Sequence, residues 1–340
     1  MELELKQLHK SDKDFFIGFA ESRIGGRQEN QDSYGALETP FGFLFTVCDG
    51  MGGGPGGKTA STIAVQEIIT GIKEAEPDEE IPNIIIKSIR RANMAIISYG
   101  NENPAFKGMG STATVLLLSP QSAFVAHVGD SRVYQFRGKR KIFRTFDHSV
   151  VFDLVKQGLI TEEQARLSAE SNVITRALGI TPDVEVEVKE VAYEKGDRFL
   201  LCSDGIHGIM PERDLIRLAT NRKSSLGAVC DNIATTADDT GRRNGGGHDN
   251  LTLIIVDTKI NSKLKPNMSK KIKIILLSLA AVCAISIVLN IALATDVAGL
   301  KAQVESLKKK DSTNQQIIQE KNSSIVKLNE KINKAQKVLK

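Results

Sequence analysis

"CDGMGGGPGGKT", Cys48 to Thr59, admits two readings that lead to two different folds. From Gly52 onward it satisfies G-x-x-x-x-G-K-[ST], ending on Gly57, Lys58 and Thr59. An apolar run, "FGFLFTVCD", precedes it, and a helix-like stretch, "TASTIAVQEIITGI", follows. That is the strand–loop–helix context of a P-loop NTPase, and "LTLIIVD" could supply a second strand ending in a magnesium-binding Asp257. The other reading rests on the two letters the pattern leaves out, Asp49 and Gly50. Here the glycines let the backbone approach a cation rather than cradle a phosphate. A P-loop would place Asp49 at the mouth of the loop, facing phosphates, and nothing else in the chain suggests a parallel nucleotide-binding sheet.

Around this loop the chain reads as a layered α+β domain from residue 1 to 258. Short β-rich runs, among them "STATVLLLS", "SAFVAHVGD", "RVYQFRG", "VEVEVKEVAY", "RFLLCSD" and "NLTLIIVD", are bounded by Gly, Asp, Asn and Pro. Helical periodicity marks about 59–73, 82–101, 151–157, 161–167, 212–219 and 225–239. Strands joined by hairpin-length turns, with helices bunched between others, argue against strict βαβ alternation. A net charge of +4 is too small to indicate a nucleic-acid partner. Cys48, Cys202, Cys230 and Cys283 show no metal-ligand spacing, and none has Arg six positions later, so a C-x5-R cysteine-phosphatase loop is absent. Three of them sit in apolar runs, as expected for buried reduced thiols in a cytosolic domain. The N-terminus is polar and carries no signal-peptide pattern.

Beyond the domain the composition changes. Residues 259–273 hold six lysines and no acid and read as a basic juxtamembrane linker. Ile274 to Ala294 carries no charge over 21 residues, roughly the 30 Å of a bilayer core when helical. The lysine bias, six before this stretch against Lys301, Lys308 and Lys309 just after it, predicts a single-pass protein. Its large N-terminal domain would be cytoplasmic and its tail on the opposite side. Residues 296–340 follow a heptad pattern. Val297, Val304, Asp311, Ile318, Ile325, Ile332 and Leu339 form one seam, and Leu300, Leu307, Asn314, Lys321, Leu328 and Ala335 the other. This predicts a coiled-coil-like tail, interrupted between Asp311 and Lys321, through which the chain self-associates.

Acids close several apolar strands. "FLFTVCDG" ends on Asp49-Gly50, "FLLCSDG" ends on Asp204-Gly205, and "GGHDNLTLIIVD" starts a strand from Asp249-Asn250. "GGRQENQDSYG" places Arg27 and Asp32 ahead of the first long strand. One Asp-Gly is an ordinary turn. Two strands with the same ending, plus further acids in glycine-rich turns, suit hard divalent cations held by carboxylate and carbonyl oxygens. Bound ions would also relieve the repulsion among clustered carboxylates.

With these landmarks in order, the chain resembles the metal-dependent type-2C (PPM) serine/threonine phosphatases from about Ser22 to Asp257. "VCDGMGG", "GMGSTATVLLL", "AHVGDSRVY", "NVITRALG", "GDRFLLCSDGIHG" and "GHDNLTLIIV" are the most telling fragments. The resemblance implies a central antiparallel β-sandwich flanked by helices, with two Mn2+ or Mg2+ ions at one end. It implies that Asp49 bridges both ions, that the Gly50 carbonyl binds one, and that Asp204 and Asp249 complete the other. Asp32 would orient the attacking water, Arg27 would bind the substrate phosphate, and Asp130 would join Asp204 at a third metal site. The reaction implied is direct hydrolysis of phosphoserine or phosphothreonine by a water activated between the ions, without a phosphoenzyme. Phosphorylated proteins are then the expected partners, Ser/Thr kinases or their targets among them. Residues 149–172 correspond to the family's variable flap, a candidate for substrate selection. Gln31 stands where many relatives have Glu, and Met51 where animal enzymes carry His. His207 and His248, near the acids in sequence, are expected to be structural. With the acids intact, a catalytically silent membrane scaffold is the weaker alternative.

Overall fold

Apolar residues recur on both faces of the central strands, which therefore need a layer on either side. The computed structural model describes residues 6–8, 14–52, 56–264 and 270–338. In chain order it contains β1 (Lys6–Gln7), β2 (Phe16–Arg23), β3 (Ser33–Thr39), β4 (Gly42–Cys48), β5 (Gly50–Met51), α1 (Gly56–Lys73) and α2 (Ile81–Glu102). After these come β6 (Gly110–Ser111), β7 (Ala113–Leu118), β8 (Ala123–Val128), β9 (Arg132–Arg137), β10 (Arg140–Arg144), α3 (Val150–Lys156) and α4 (Glu162–Arg166). The chain continues through β11 (Glu187–Val191), β12 (Arg198–Cys202), α5 (Asp204–His207), α6 (Glu212–Ala219), α7 (Leu226–Arg243), β13 (Leu251–Thr258) and α8 (Lys270–Val338).

Two antiparallel sheets carry the fold, ordered β1-β2-β13-β12-β9-β10 and β11-β8-β7-β4-β3. Side chains alternate between layers at the strand period of two. On β4, Phe43, Phe45 and Val47 point between the sheets, while Leu44 and Cys48 point toward α1 and α2. On β12, Phe199 and Leu201 face the inter-sheet core, and Leu200 and Cys202 pack with α6 and α7. The result is an α–β–β–α stack, the sandwich the sequence predicts. Every strand pairing among the described residues is antiparallel, which removes the parallel sheet a P-loop NTPase would need.

The helices close the outer layers through amphipathic spacing. On α2, Ile84, Ile85, Ser88, Ile89, Ala92, Asn93 and Ile96 are buried at intervals of three and four, and Pro82 starts the helix where no N–H is needed. Ser225 caps α7 by accepting from the Ala228 N–H, and Thr161 and Gln164 form a capping box on α4.

Three local expectations change. The helix after the glycine loop begins at Gly56 rather than Thr59, so Gly57 and Lys58 are helical; Gly53–Pro55 lie outside the described residues. Asp204 opens the short α5 instead of ending in a turn. Of "VEVEVKEVAY" only Glu187–Val191 pairs as a strand, because Val184 is already committed to the core beneath α2.

Contacts divide the chain into Met1–Pro266 and Asn267–Lys340. Lys259 donates its N–H to the Phe15 carbonyl (2.8 Å) and Leu264 to that of Gln121 (2.8 Å), so the start of the basic segment is tied to the sandwich. Residues 265–269 of that segment lie outside the described residues. Among the described residues the second unit is one unbroken helix, α8, that carries the apolar stretch and the heptads as far as Val338. By length and composition it has a window able to cross a membrane, and none of that window is buried.

Candidate active site

β4 and β12 lie in different sheets, yet both end at the same edge of the sandwich, and Asp49 and Asp204 follow them. Asp249 precedes β13, the neighbour of β12, and Asp32 precedes β3, the neighbour of β4. Antiparallel pairing thereby gathers four acids far apart in sequence. Arg27, Asp49, Gly50, Asp130, Asp204 and Asp249 line one cleft of about 540 Å³. Asp32 lies beneath it, buried, its charge coupled to those of Asp204 and Asp249. The seven residues expected from the sequence are thus brought together.

Each is held by a specific bond. The Asp49 N–H donates to Thr112 Oγ1 (2.9 Å), and the Asp49 carbonyl accepts from the Thr112 N–H (2.8 Å). Gly50 pairs with Ser111 in the short β5–β6 ladder. A side chain at Gly50 would sit 1.9 Å from the Gly57 carbonyl oxygen, so only glycine allows this approach. Asn250 clamps the loop before β3. Its Oδ1 accepts from the Gln31 N–H (2.8 Å), and its Nδ2 donates to the carbonyls of Ile24 (2.8 Å) and Glu29 (2.9 Å). Ser203 donates its hydroxyl to Asp32 Oδ2 (2.8 Å). Arg27 reaches Asp249 Oδ2 (2.8 Å) from the open side of the cleft.

The electrostatics are those of acids packed without enough counter-charge. Burial, then the neighbouring carboxylates, pushes Asp49 well above the ordinary carboxylate range. Burial and Asp249 raise Asp204 to about 6, and burial raises Asp32 to about 7 against the hydroxyls of Thr252 and Ser203. Asp130 is likewise raised by burial and by Asp204. Among the described residues, Asp32 Oδ1 and Asp204 Oδ1 are buried with no hydrogen-bond partner. Oxygen-only donors, orphaned carboxylate atoms and a side-chain-free approach at Gly50 fit hard divalent cations.

Several supporting residues carry no mark in the sequence. Lys58 donates to the Asp32 carbonyl (2.7 Å) and Ser33 Oγ (3.1 Å), so it buttresses the acid loop instead of merely spacing it. Thr112 and Ser203 act through partners more than sixty positions and more than a hundred positions away, respectively, a separation that leaves no local signal. His207 Nε2 donates to the Asp130 carbonyl (3.0 Å), and His248 Nε2 lies 2.9 Å from Asp238 Oδ1; both rings are anchored in the scaffold. Asn172, at the end of the flap, and Ile174, just beyond it, line the cleft. Burial raises the Cys48 and Cys202 thiols to about 12, in keeping with inert core cysteines. A separate group, His127, His148 and Glu187, brings its ligand-type atoms within 4.8 Å of one another. The Arg176 guanidinium, 3.3 Å from His148 Nε2, already supplies a cation there.

The profile of the family described as protein phosphatase 2C matches residues 21–242. The serine/threonine phosphatase stp of Listeria welshimeri is 32% identical over 241 residues, which cover 70% of this chain and 93% of that protein. The Streptococcus agalactiae serine/threonine phosphatase structure superposes with a TM-score of 0.65 at 30% identity, covering 72% of this chain and all of the other. The catalytic domain of PstP in complex with two manganese ions superposes at 0.60 with 29% identity, covering 72% of this chain and 98% of that domain. Matched in profile, in sequence and in the stacked sheets that carry its acids, this chain belongs to the protein phosphatase 2C family.

Proposed function

We propose that the chain is a metal-dependent serine/threonine protein phosphatase whose inter-sheet acids hold two Mn2+ or Mg2+ ions and hydrolyse phosphoserine and phosphothreonine directly. The observation that carries this reading is the convergence of Asp32, Asp49, Asp204 and Asp249 from both sheets, with Asp32 Oδ1 and Asp204 Oδ1 buried and unpartnered. Asp49, the Gly50 carbonyl, Asp204 and Asp249 are the residues that would hold the ions, with Asp130 and Asp204 at a third position. Such ions supply Lewis-acid polarisation of the phosphoryl group and an acidified water. Arg27, half exposed at the mouth, is free to exchange Asp249 for the oxygens of an incoming phosphate, which its guanidinium matches in pairs. Asp32, fixed by Ser203, accepts a hydrogen bond from the attacking water and keeps it aimed at phosphorus. The presence of Asn172 in the cleft lining supports a role for the flap in choosing among phosphoproteins, kinases and their targets included.

The apolar stretch 274–294 anchors the enzyme as a single-pass membrane protein. The lysine excess on its N-terminal flank keeps the catalytic domain, 1–258, cytoplasmic behind the basic linker 259–273. The heptads of 296–340 mediate self-association on the other side.

Full-length protein with Mn2+ should hydrolyse p-nitrophenyl phosphate and a phosphothreonine peptide. Asp204→Asn should lower turnover at least about a hundredfold. Unchanged turnover in that variant would remove the assignment.

A further inference from the structure

The tail of α8 presents to solvent an apolar stripe interrupted by Asp311, Asn314 and Lys321. Val297, Leu300, Val304, Leu307, Ile318, Ile325, Leu328 and Ile332 are 46% to 63% exposed, and nothing in their own unit covers them. The helix continues without a break through Asp311–Lys321, so the stripe does not fold back on itself as a hairpin. Its occupant is a second copy of the chain, and the polar seam residues decide how that copy lies.

In a parallel pair every seam residue meets itself. Asp311 would face Asp311 and Lys321 would face Lys321, two like-charge contacts inside an apolar seam. In an antiparallel pair centred on Gln316, each residue of one seam meets a residue of the other. Leu300 then faces Ile332 of the second copy, Val304 faces Leu328, Leu307 faces Ile325, and Asp311 faces Lys321. Asn314 against Ile318 is the one mixed layer. Sliding this arrangement by a heptad in either direction breaks the charge pairing, setting Asp311 against Leu328 or Lys321 against Val304. Only one antiparallel register therefore pairs both charges and keeps the apolar layers apolar.

Building on the self-association proposed above, we infer that the tails of two chains pair antiparallel, with Asp311 of each opposite Lys321 of the other. The two copies of Val297 then stand roughly 57 Å apart along the rod. The apolar anchoring stretches consequently leave from opposite ends, so a dimer held in one bilayer requires each α8, continuous here, to bend between Ala294 and Val297.

The test is cysteine cross-linking of full-length protein in detergent, in a Cys283→Ser background, with copper-phenanthroline as oxidant. A mixture of Leu300→Cys chains and Ile332→Cys chains should give a covalent dimer, and neither variant should do so alone. A dimer from Leu300→Cys alone would overturn the orientation and leave self-association standing. A monomer mass by sedimentation, with no cross-link in any combination, would overturn self-association itself. A charge swap gives an independent reading. Asp311→Lys should weaken the dimer at least about tenfold, and adding Lys321→Asp should restore it. Equal affinity for all three proteins would sink the antiparallel register.

Discussion

Lys58, the letter that makes the loop look like a phosphate cradle, points its ammonium at the backbone of Asp32 and at Ser33. The two hydrogen bonds it makes there, from one charged donor, are worth about 1.5–3 kcal/mol each and hold the loop rather than a reacting group. Lys58→Ala should therefore cost turnover about tenfold or less, whereas Asp49→Ala should abolish it; Mn2+-dependent hydrolysis by the two purified variants checks both. Comparable losses would mean that Lys58 touches the phosphate after all. His148 offers a test of a different kind. Its Nδ1 accepts from the Gly129 N–H (3.2 Å), its ring stacks on His127 at 4.4 Å, and burial, with His127, lowers its pKa to about 4. Below about pH 6.5 the unfolded chain takes up a proton that the folded ring refuses until about 4. Its contribution to stability is thus complete above that window and lost as the pH falls through it. His148→Asn keeps an acceptor for Gly129 without the titration, so its melting temperature should fall less steeply between pH 6.5 and 4.5.

The strand-end acids were legible in the sequence because each breaks a local rule, an Asp closing an apolar run. Which strands stood side by side was not legible, since β4 and β12 share an ending but belong to different sheets. The clamps were hidden for the same reason. Asn93 reads as one more residue on the buried face of α2. In the structure it accepts from the Gly179 N–H (2.7 Å) and donates to the carbonyls of Thr181 (2.8 Å) and Pro182 (3.1 Å). It thus fixes the chain that returns from the flap toward β11, at a glycine with φ of +87°. Asn93→Ala strips those buried groups of their partner and should cost about 2–4 kcal/mol, read as a lowered denaturation midpoint at unchanged slope. A change below about 0.5 kcal/mol would mean that water replaces the carboxamide. Helix limits were predicted within about four residues, the largest difference being the end of α7, expected at 239 and found at Arg243, while the short α5 was not predicted.

The whole molecule couples two kinds of chain, a sandwich and a single long helix, and their contributions separate by truncation. Removing residues 296–340 should leave the protein in the membrane fraction but abolish its self-association, while removing 270–340 should release it. Recovery in the soluble fraction of the form that lacks only 296–340, and so retains 274–294, would exclude the anchor. Within the sandwich, the acids of the cleft come from both sheets, Asp49 from the edge of one and Asp204 and Asp249 from the other. Packed together, they disfavour one another's ionised form, which raises Asp49 and Asp204; divalent ions would relieve that repulsion and turn the same groups into a clasp. Occupancy and folding are then one equilibrium, with about 2.7 kcal/mol gained at a hundredfold excess over the dissociation constant. Mn2+ should raise the melting temperature of the wild type far more than that of Asp204→Asn. The supply of divalent ions should thereby set how long the protein stays folded as well as how fast it turns over, read as slower thermal inactivation with Mn2+ than with a chelator.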